Sequence, residues 1–320
     1  MGSSERFLVT GAAGFVGARL CQVLAQRGYE VHGVVSPSSN TWRLDGQPGT
    51  VQHVVDLRDF DAVKRTVATI APTVIYSLAA HGAYPHQTDA RRIAETNVLG
   101  LTNLLEASEA IDYRVLVHAG SSSEYGRKSV PMRETDELIP ETVYGVTKAA
   151  QSLLCRQWSH QHGRPIVVFR LFSVYGPLEE PTRLIPRLIT AMLDEAPLAL
   201  VSPRTSRDFI FVDDVVEALL KVDRLERLRG AILNLGTGVQ TSLADVVAAL
   251  ESIAGKPLRA EWGAMPARPW DTDTWVADTT LLSQALDWTP PTPFRTGLER
   301  TLDWLRANRG AYRRDQQRQQ

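Results

Sequence analysis

Residues 9–20 read VTGAAGFVGARL, with Gly11, Gly14 and Gly17 at three-residue intervals between an apolar run and an amphipathic one. The run that leads in, RFLVT, is long enough for one short strand. The run that follows, FVGARLCQVLAQR, carries apolar residues at helical spacing. Glycines at such a junction allow a tight turn, bring bare backbone close to an anion, and let the helix pack closely on the strand. The turn then aims the helix N-terminus, with its free N–H groups, at that anion. The spacing is G-x-x-G-x-x-G, and a glycine trio alone specifies little. Its position at the first strand–helix junction is what gives it weight.

The same alternation continues outward from this junction. EVHGVV, VQHVV, TVIYSLAA, RVLVHAG and IVVFRLF read as strands, with helical segments near 59–70, 90–110 and 144–162. Near-continuous apolar strands separated by helices predict an α/β fold, a doubly wound parallel sheet of Rossmann type covered on both faces. Ligands are expected at the carboxyl ends of its strands. We expect the dinucleotide-binding domain over 1–173, with strands returning to it from about 208–240. A smaller, mostly substrate-binding portion is expected over 174–310, and residues 311–320, polar and Gln-rich, are expected to form a disordered tail.

Composition narrows the function classes. Among 320 residues, 35 are basic and 36 acidic, so the overall charge points to neither nucleic acid nor an anionic membrane. No apolar run approaches the roughly 18 residues of a membrane span, and the N-terminus lacks a signal-peptide pattern. A cytoplasmic location is expected. Cys21 and Cys155 fall in helices and read as lone buried thiols, and the seven histidines show no metal spacing.

For the dinucleotide, Gly11, Gly14 and Gly17, with Phe15 and Val16 opening the helix, are the expected pyrophosphate cradle. NAD sites usually carry an acid at the tip of the second strand for the ribose 2′-OH. Here Val35 and Ser36 stand there, and Ser36, Ser38, Ser39 and Arg43 have the donors for a 2′-phosphate, unless they form only a solvated loop. NADP(H) is therefore expected, with NAD(H) the alternative. Asp56 either accepts from the adenine amino group or caps a helix. Leu57, Leu78, Ala79 and Ala80 complete the expected cofactor contacts.

Two polar stretches remain, HAGSSSEYG at 118–126 and YGVTK at 144–148. Tyr144 and Lys148 lie one helical turn apart and share a face. A phenol of pKa about 10 exchanges protons poorly at neutral pH. An ammonium beside it, with an oxidised nicotinamide, favours the phenolate. A tyrosine so tuned passes a proton to or from a substrate oxygen while hydride moves at the same carbon.

TGAAGFVG, SLAA, ETNVLGLTNLLEA, GSSSEYG, YGVTK, RLFSVYGP, RDFIFVDDV, NLGTG and ALDWTP together resemble the extended short-chain dehydrogenase/reductase family, the nucleotide-sugar (NAD-dependent epimerase/dehydratase) type. The resemblance implies Ser121, Tyr144 and Lys148 as the catalytic set, Ser121 standing five residues before Gly126. A one-residue deletion in the loop would give Ser122 that place. Family 4,6-dehydratases carry acidic or small polar residues at the next two positions. These are Ser122 and Ser123 without a gap, Ser123 and Glu124 with one. The gapless alignment resembles GDP-4-keto-6-deoxymannose reductases and implies NADPH-dependent reduction at C4 of a nucleotide-linked 4-keto-6-deoxyhexose. A 4-epimerase or a 4,6-dehydratase with retained NAD is the alternative, and a non-catalytic dinucleotide sensor the distant one.

For the substrate, the resemblance implies Arg207 and Arg268 on the diphosphate, with Arg183 and Arg187 as further candidates for phosphate or base. Ser173 stands where many relatives carry an asparagine that touches the sugar, and Ser122, Ser123 and His81 are expected around the same pocket. Relatives pair the helices near 90–110 and 144–162 across a two-fold axis. A homodimer through Leu101, Leu104, Leu105, Leu153 and Leu154 is expected, unless those leucines only cover the sheet.

Overall fold

The computed structural model describes residues 5–84, 86–266 and 271–318. Strands β1 (Arg6–Thr10), β2 (Glu30–Val35), β3 (Thr50–Val54), β4 (Val74–Ser77), β5 (Val115–Ser121) and β6 (Ile166–Leu171) alternate with helices α1 (Phe15–Gln26), α2 (Phe60–Ile70), α3 (Ala90–Ala94), α4 (Gly100–Ser108) and α5 (Val143–His162). A single π turn, Glu95–Leu99, joins α3 to α4. Beyond these come β7 (Ser173–Tyr175), α6 (Leu184–Asp194), β8 (Leu198–Leu200), β9 (Ser206–Phe211), α7 (Val212–Leu219), α8 (Val222–Leu225) and β10 (Ile232–Leu235). The chain then runs through β11 (Gln240–Ser242), α9 (Leu243–Ala254), β12 (Ala260–Trp262), α10 (Thr280–Leu286) and α11 (Phe294–Arg318).

Seven parallel strands form the main sheet in the order β10-β6-β5-β4-β1-β2-β3. The order reverses between β1 and β4, and the crevice outside their carboxyl ends is where such sheets take ligands. Every residue of β4 and β5 is buried, which is why those strands read as continuous apolar runs. Phe7, Val9, Leu20, Cys21 and Leu24 pack on one face of the sheet. Leu8, Val63, Leu104, Leu116 and Cys155 pack on the other. The two buried thiols thus belong to opposite faces and are free. A second core gathers Ile185, Leu188, Phe209, Phe211, Leu298 and Leu302 around the three-stranded sheet β11-β9-β7. Each buried leucine or phenylalanine contributes roughly 1.5–3 kcal/mol to holding these layers together.

Some sequence expectations need correction. Of the 208–240 stretch, β10 returns to the main sheet, but β9 pairs with β7 and β11 instead. The segment read as a disordered tail continues α11 to Arg318. Backbone at Asn308 leaves helical geometry, and beyond it Tyr312 is buried, edge-on to Trp42 and Trp304, with its hydroxyl donating to the Glu179 carbonyl. One aromatic anchor in a polar stretch is easily hidden by composition. Leu101, Leu104 and Leu105 are buried against the sheet and Leu154 packs on the same core, whereas Leu153 is exposed. No helix among the described residues is long and apolar enough to cross a membrane.

Candidate active site

Gly11 adopts φ +69, and a Cβ there would lie 2.7–2.9 Å from the backbone of Leu78 and Ala79. A Cβ on Gly17 would lie 2.2 Å from the Gly11 carbonyl oxygen. Only glycine lets the first turn close against the end of β4. Thr10 fastens the same seam, its Oγ1 accepting from the N–H groups of Leu78 and Ala79. Gly14 caps α1 with no side-chain partner, so the N–H groups opening that helix, at Phe15 and Val16, face the crevice. The cradle a Cβ would fill fits a dinucleotide pyrophosphate.

The residues expected at the adenosine end are arranged otherwise. Ser36 lies in an exposed turn within 3.1 Å of the Ser38 hydroxyl, and Arg92 donates to Ser38. Arg43 does not face that turn. It is buried, paired with Glu180 at 2.9 Å, and donates to the carbonyls of Leu178 and Ala13. Its guanidinium is thereby committed to joining the glycine turn to the loop after β7, which removes the strongest donor expected for a 2′-phosphate. Asp56 does not cap a helix; Asp59 caps α2, and Asp56 pairs with Arg58 at 2.6 Å. That pairing holds the Asp56 carboxyl below its usual range. Leu57 packs beside it against the core, and its carbonyl accepts from Asn103.

At the end of β5, Ser121 caps a 3₁₀ turn, its Oγ accepting from the Ser123 N–H at 3.1 Å. The same side chain is among the groups that act on the Tyr144 phenol. Burial pushes that phenol up to about 12, against the nearby Ser121 hydroxyl and the Arg183 charge, which lower it. Lys148 is buried, and its ammonium donates to the Ala119 carbonyl at 2.5 Å and to Gln151 at 2.9 Å. Burial lowers it to about 8, with Glu124 opposing. The Lys148 ammonium thus ends on Ala119 and Gln151 rather than on the phenol, with which it shares a helix face.

Beneath Lys148 lies a network that the spacing of YGVTK does not reveal. Gln151 Nε2 donates to the Asn97 carbonyl at 2.6 Å. Asn97, buried in the π turn, donates to Thr147 and to the His81 carbonyl and accepts from the His81 N–H. Single π turns often mark functional positions. His81 is thus fixed through its main chain at the cleft edge, with burial lowering its imidazole. His118, fully buried with Nδ1 3.1 Å from Ser77 Oγ, is held neutral by burial and by the Lys148 charge.

The serine triplet separates into distinct roles. Ser122 is buried, and its Oγ accepts from the Trp275 indole at 3.0 Å. Ser123 is partly exposed. Glu124 turns inward: its carboxylate takes Arg170 Nε at 2.8 Å, Ser152 Oγ at 2.9 Å and the Ser121 N–H at 2.8 Å. Among the substrate arginines, Arg207 lies over the Trp275 ring and 3.3 Å from Asp271. Arg183 and Arg187 open α6, the former 3.9 Å from Glu179. Ser173 starts β7 and is partly exposed. Arg268 lies outside the described residues. Asp208, which sequence reading passed over within RDFIFVDD, is fully buried and accepts from the N–H groups of Thr237, Gly238 and Ala277, so it shapes the NLGTG loop.

Glu179 carries a pH prediction. It is buried, its Oε2 has no partner among the described residues, and burial pushes its carboxyl up to about 8 from 4.5. The folded form therefore holds a proton that the unfolded chain releases near 4.5. Its contribution to stability is complete below that pH and is lost as pH rises toward 8. Thermal melts between pH 5 and 8 should show wild type losing ground that Glu179→Gln keeps, by roughly 3 kcal/mol at most. Parallel melting curves for the two proteins would refute it.

Comparison with known proteins fits this geometry. The NAD dependent epimerase/dehydratase family model matches residues 7–236. The UDP-glucuronate 4-epimerase of Thermodesulfobacterium geofontis is 30% identical over 94% of this chain and 96% of its own. An uncharacterized UDP-glucose epimerase of Bacillus subtilis is 30% identical over 94% and 98%. The crystal structure of UDP-glucuronic acid 4-epimerase from Bacillus cereus, in complex with UDP-glucuronic acid and NAD, superposes with a TM-score of 0.84 at 29% identity. It covers 94% of this chain and 99% of that one.

Proposed function

The chain belongs to the NAD dependent epimerase/dehydratase family, and from that premise we propose that it inverts C4 of a nucleotide-linked hexose, with NAD retained through the cycle. The observation that carries the reading is the placement of Ser121 at the carboxyl end of β5 with Tyr144 and Lys148 at the start of α5, the Lys148 ammonium donating to Ala119 on the same strand, on the same sheet edge as the glycine cradle. Bound in that cradle, NAD would supply reversible hydride acceptance at C4, and inversion requires the 4-keto sugar to present its opposite face before the hydride comes back.

The chain's own residues handle the oxygen. Ser121 holds the C4 oxygen by a hydrogen bond, and Tyr144 takes its proton and later gives it back. Lys148, fixed by Ala119 and Gln151, supplies positive charge at the base of the helix. Arg207 is the candidate for the diphosphate, a role its partly exposed guanidinium suits. Two features weigh against the alternatives. Arg43 is committed to Glu180, which weakens the case for NADPH and hence for a 4-ketoreductase. Glu124 is sealed in its pair with Arg170, which weakens the case for a dehydratase acid.

The test is conversion of UDP-glucose and UDP-glucuronic acid by purified protein, followed by chromatography and mass spectrometry. The C4 epimer should accumulate to a fixed ratio without net cofactor consumption. Stoichiometric NADPH oxidation with a 4-keto sugar nucleotide would establish a reductase instead, and a product lighter by one water a dehydratase.

A further inference from the structure

Ser122 adjoins the candidate catalytic hydroxyl, yet its own hydroxyl is not offered to the cleft. Both it and Trp275 are buried, at 6% and 7% exposure, and the indole N–H donates to Ser122 Oγ at 3.0 Å across 153 residues of chain. The indole is tied on its other sides. The Trp275 N–H donates to Gln240, the ring packs with Tyr125, Met132 and Phe172, and the Arg207 guanidinium lies 5.3 Å from the ring centroid. The backbone around it is also fastened to the far side of the serine turn, Met132 N–H donating to Val276 O and Asp278 N–H to Met132 O. One aromatic ring therefore joins the segment bearing a candidate diphosphate arginine to the turn that sets Ser121.

We propose that Trp275 is a positioning residue that holds the Ser121 turn in its reactive geometry through the indole–Ser122 hydrogen bond. The inference rests on the Ser121–Tyr144 reading and adds to it a residue distant in sequence. Ser121 Oγ is already engaged by the Ser123 N–H, so a shift at Ser122 moves the hydroxyl relative to the phenol. A phenyl ring in its place leaves Ser122 without its donor and fills only part of the indole's volume.

Trp275→Phe and Ser122→Ala test this. Each should lower kcat about tenfold, the effect of one lost positioning hydrogen bond, with KM for the sugar nucleotide within about twofold of wild type. The double variant should be no worse than either single one, because both remove the same bond. Ser122→Thr, which keeps the acceptor, should restore most of kcat. A second readout needs no turnover: ultraviolet titration of the phenol, with Tyr144→Phe subtracted, should move in Ser122→Ala as the Ser121 hydroxyl shifts relative to the phenol. Unchanged kcat and an unchanged phenol titration in Ser122→Ala would overturn the proposal. So would additive losses in the double variant. If Trp275→Phe fails to fold, the two Ser122 variants carry the test alone. If wild type converts no sugar nucleotide, the functional reading fails, and the phenol titration still decides the positioning role.

Discussion

Tyr144→Phe is expected to lower turnover about a thousandfold while leaving the fold and cofactor binding in place, because general acid–base catalysis typically contributes 10²–10⁴-fold. In the proposed cycle the phenol carries the proton, and its hydroxyl is what the substitution removes. Its pKa is pushed up to about 12 by burial, so at neutral pH it rests protonated. To take the C4 proton in the first half of the proposed cycle it must be made more acidic, which positive charge around it, from Lys148 and a bound oxidised nicotinamide, would do. Lys148, lowered to about 8, keeps most of its charge at pH 7 and loses it above pH 8. Steady-state rates with melting curves and cofactor titration on the same preparation make the check. Undiminished turnover in Tyr144→Phe would remove the proton carrier from the mechanism, and with it the functional reading.

How much of this was legible in the sequence depends on the range of the interaction. The glycine turn and the main sheet were readable because parallel strands buried on both faces must be apolar throughout, and the turn needs glycine where φ is positive. Ser121, Tyr144 and Lys148 are picked out by spacing and resemblance, and the fold sets the first at the end of β5 and the other two at the start of α5. What spacing did not give is where each polar group turns once folded. Arg43, beside a serine loop, looked like a phosphate ligand until Glu180, 137 residues on, claimed it. Lys148 shares a helix face with Tyr144, yet its long side chain ends on Ala119 and Gln151 rather than on the phenol. Asn97 reaches the site from a π turn, donating to Thr147 of another helix. Each of these partners comes from a different strand or helix, and no local pattern encodes it.

Arg170→Met is expected to destabilise the protein by about 3–5 kcal/mol, because it strands a carboxylate in the interior. Glu124 is fully buried and Arg170 is 2% exposed. Arg170 also donates to the Tyr125 hydroxyl at 2.9 Å and to the Glu134 carbonyl at 3.3 Å, so the pair anchors the serine turn to β6. Glu124→Gln should cost a similar amount: the amide still accepts, but the guanidinium loses its counter-charge. Replacing both together, Glu124→Leu with Arg170→Met, should recover much of the loss, since a buried pair exchanged for apolar groups of like volume is often neutral. Denaturant unfolding of the three variants gives these differences directly. Assayed well below its midpoint, Glu124→Gln should turn over within a few-fold of wild type per folded molecule. The carboxylate makes its bonds to Arg170, Ser152 and the Ser121 N–H, all on the protein side. If Glu124→Gln instead kept full stability and lost turnover a hundredfold, the carboxylate would have to reach the sugar. Glu124 would then be an acid–base group, and elimination of water would again be the better account of the site.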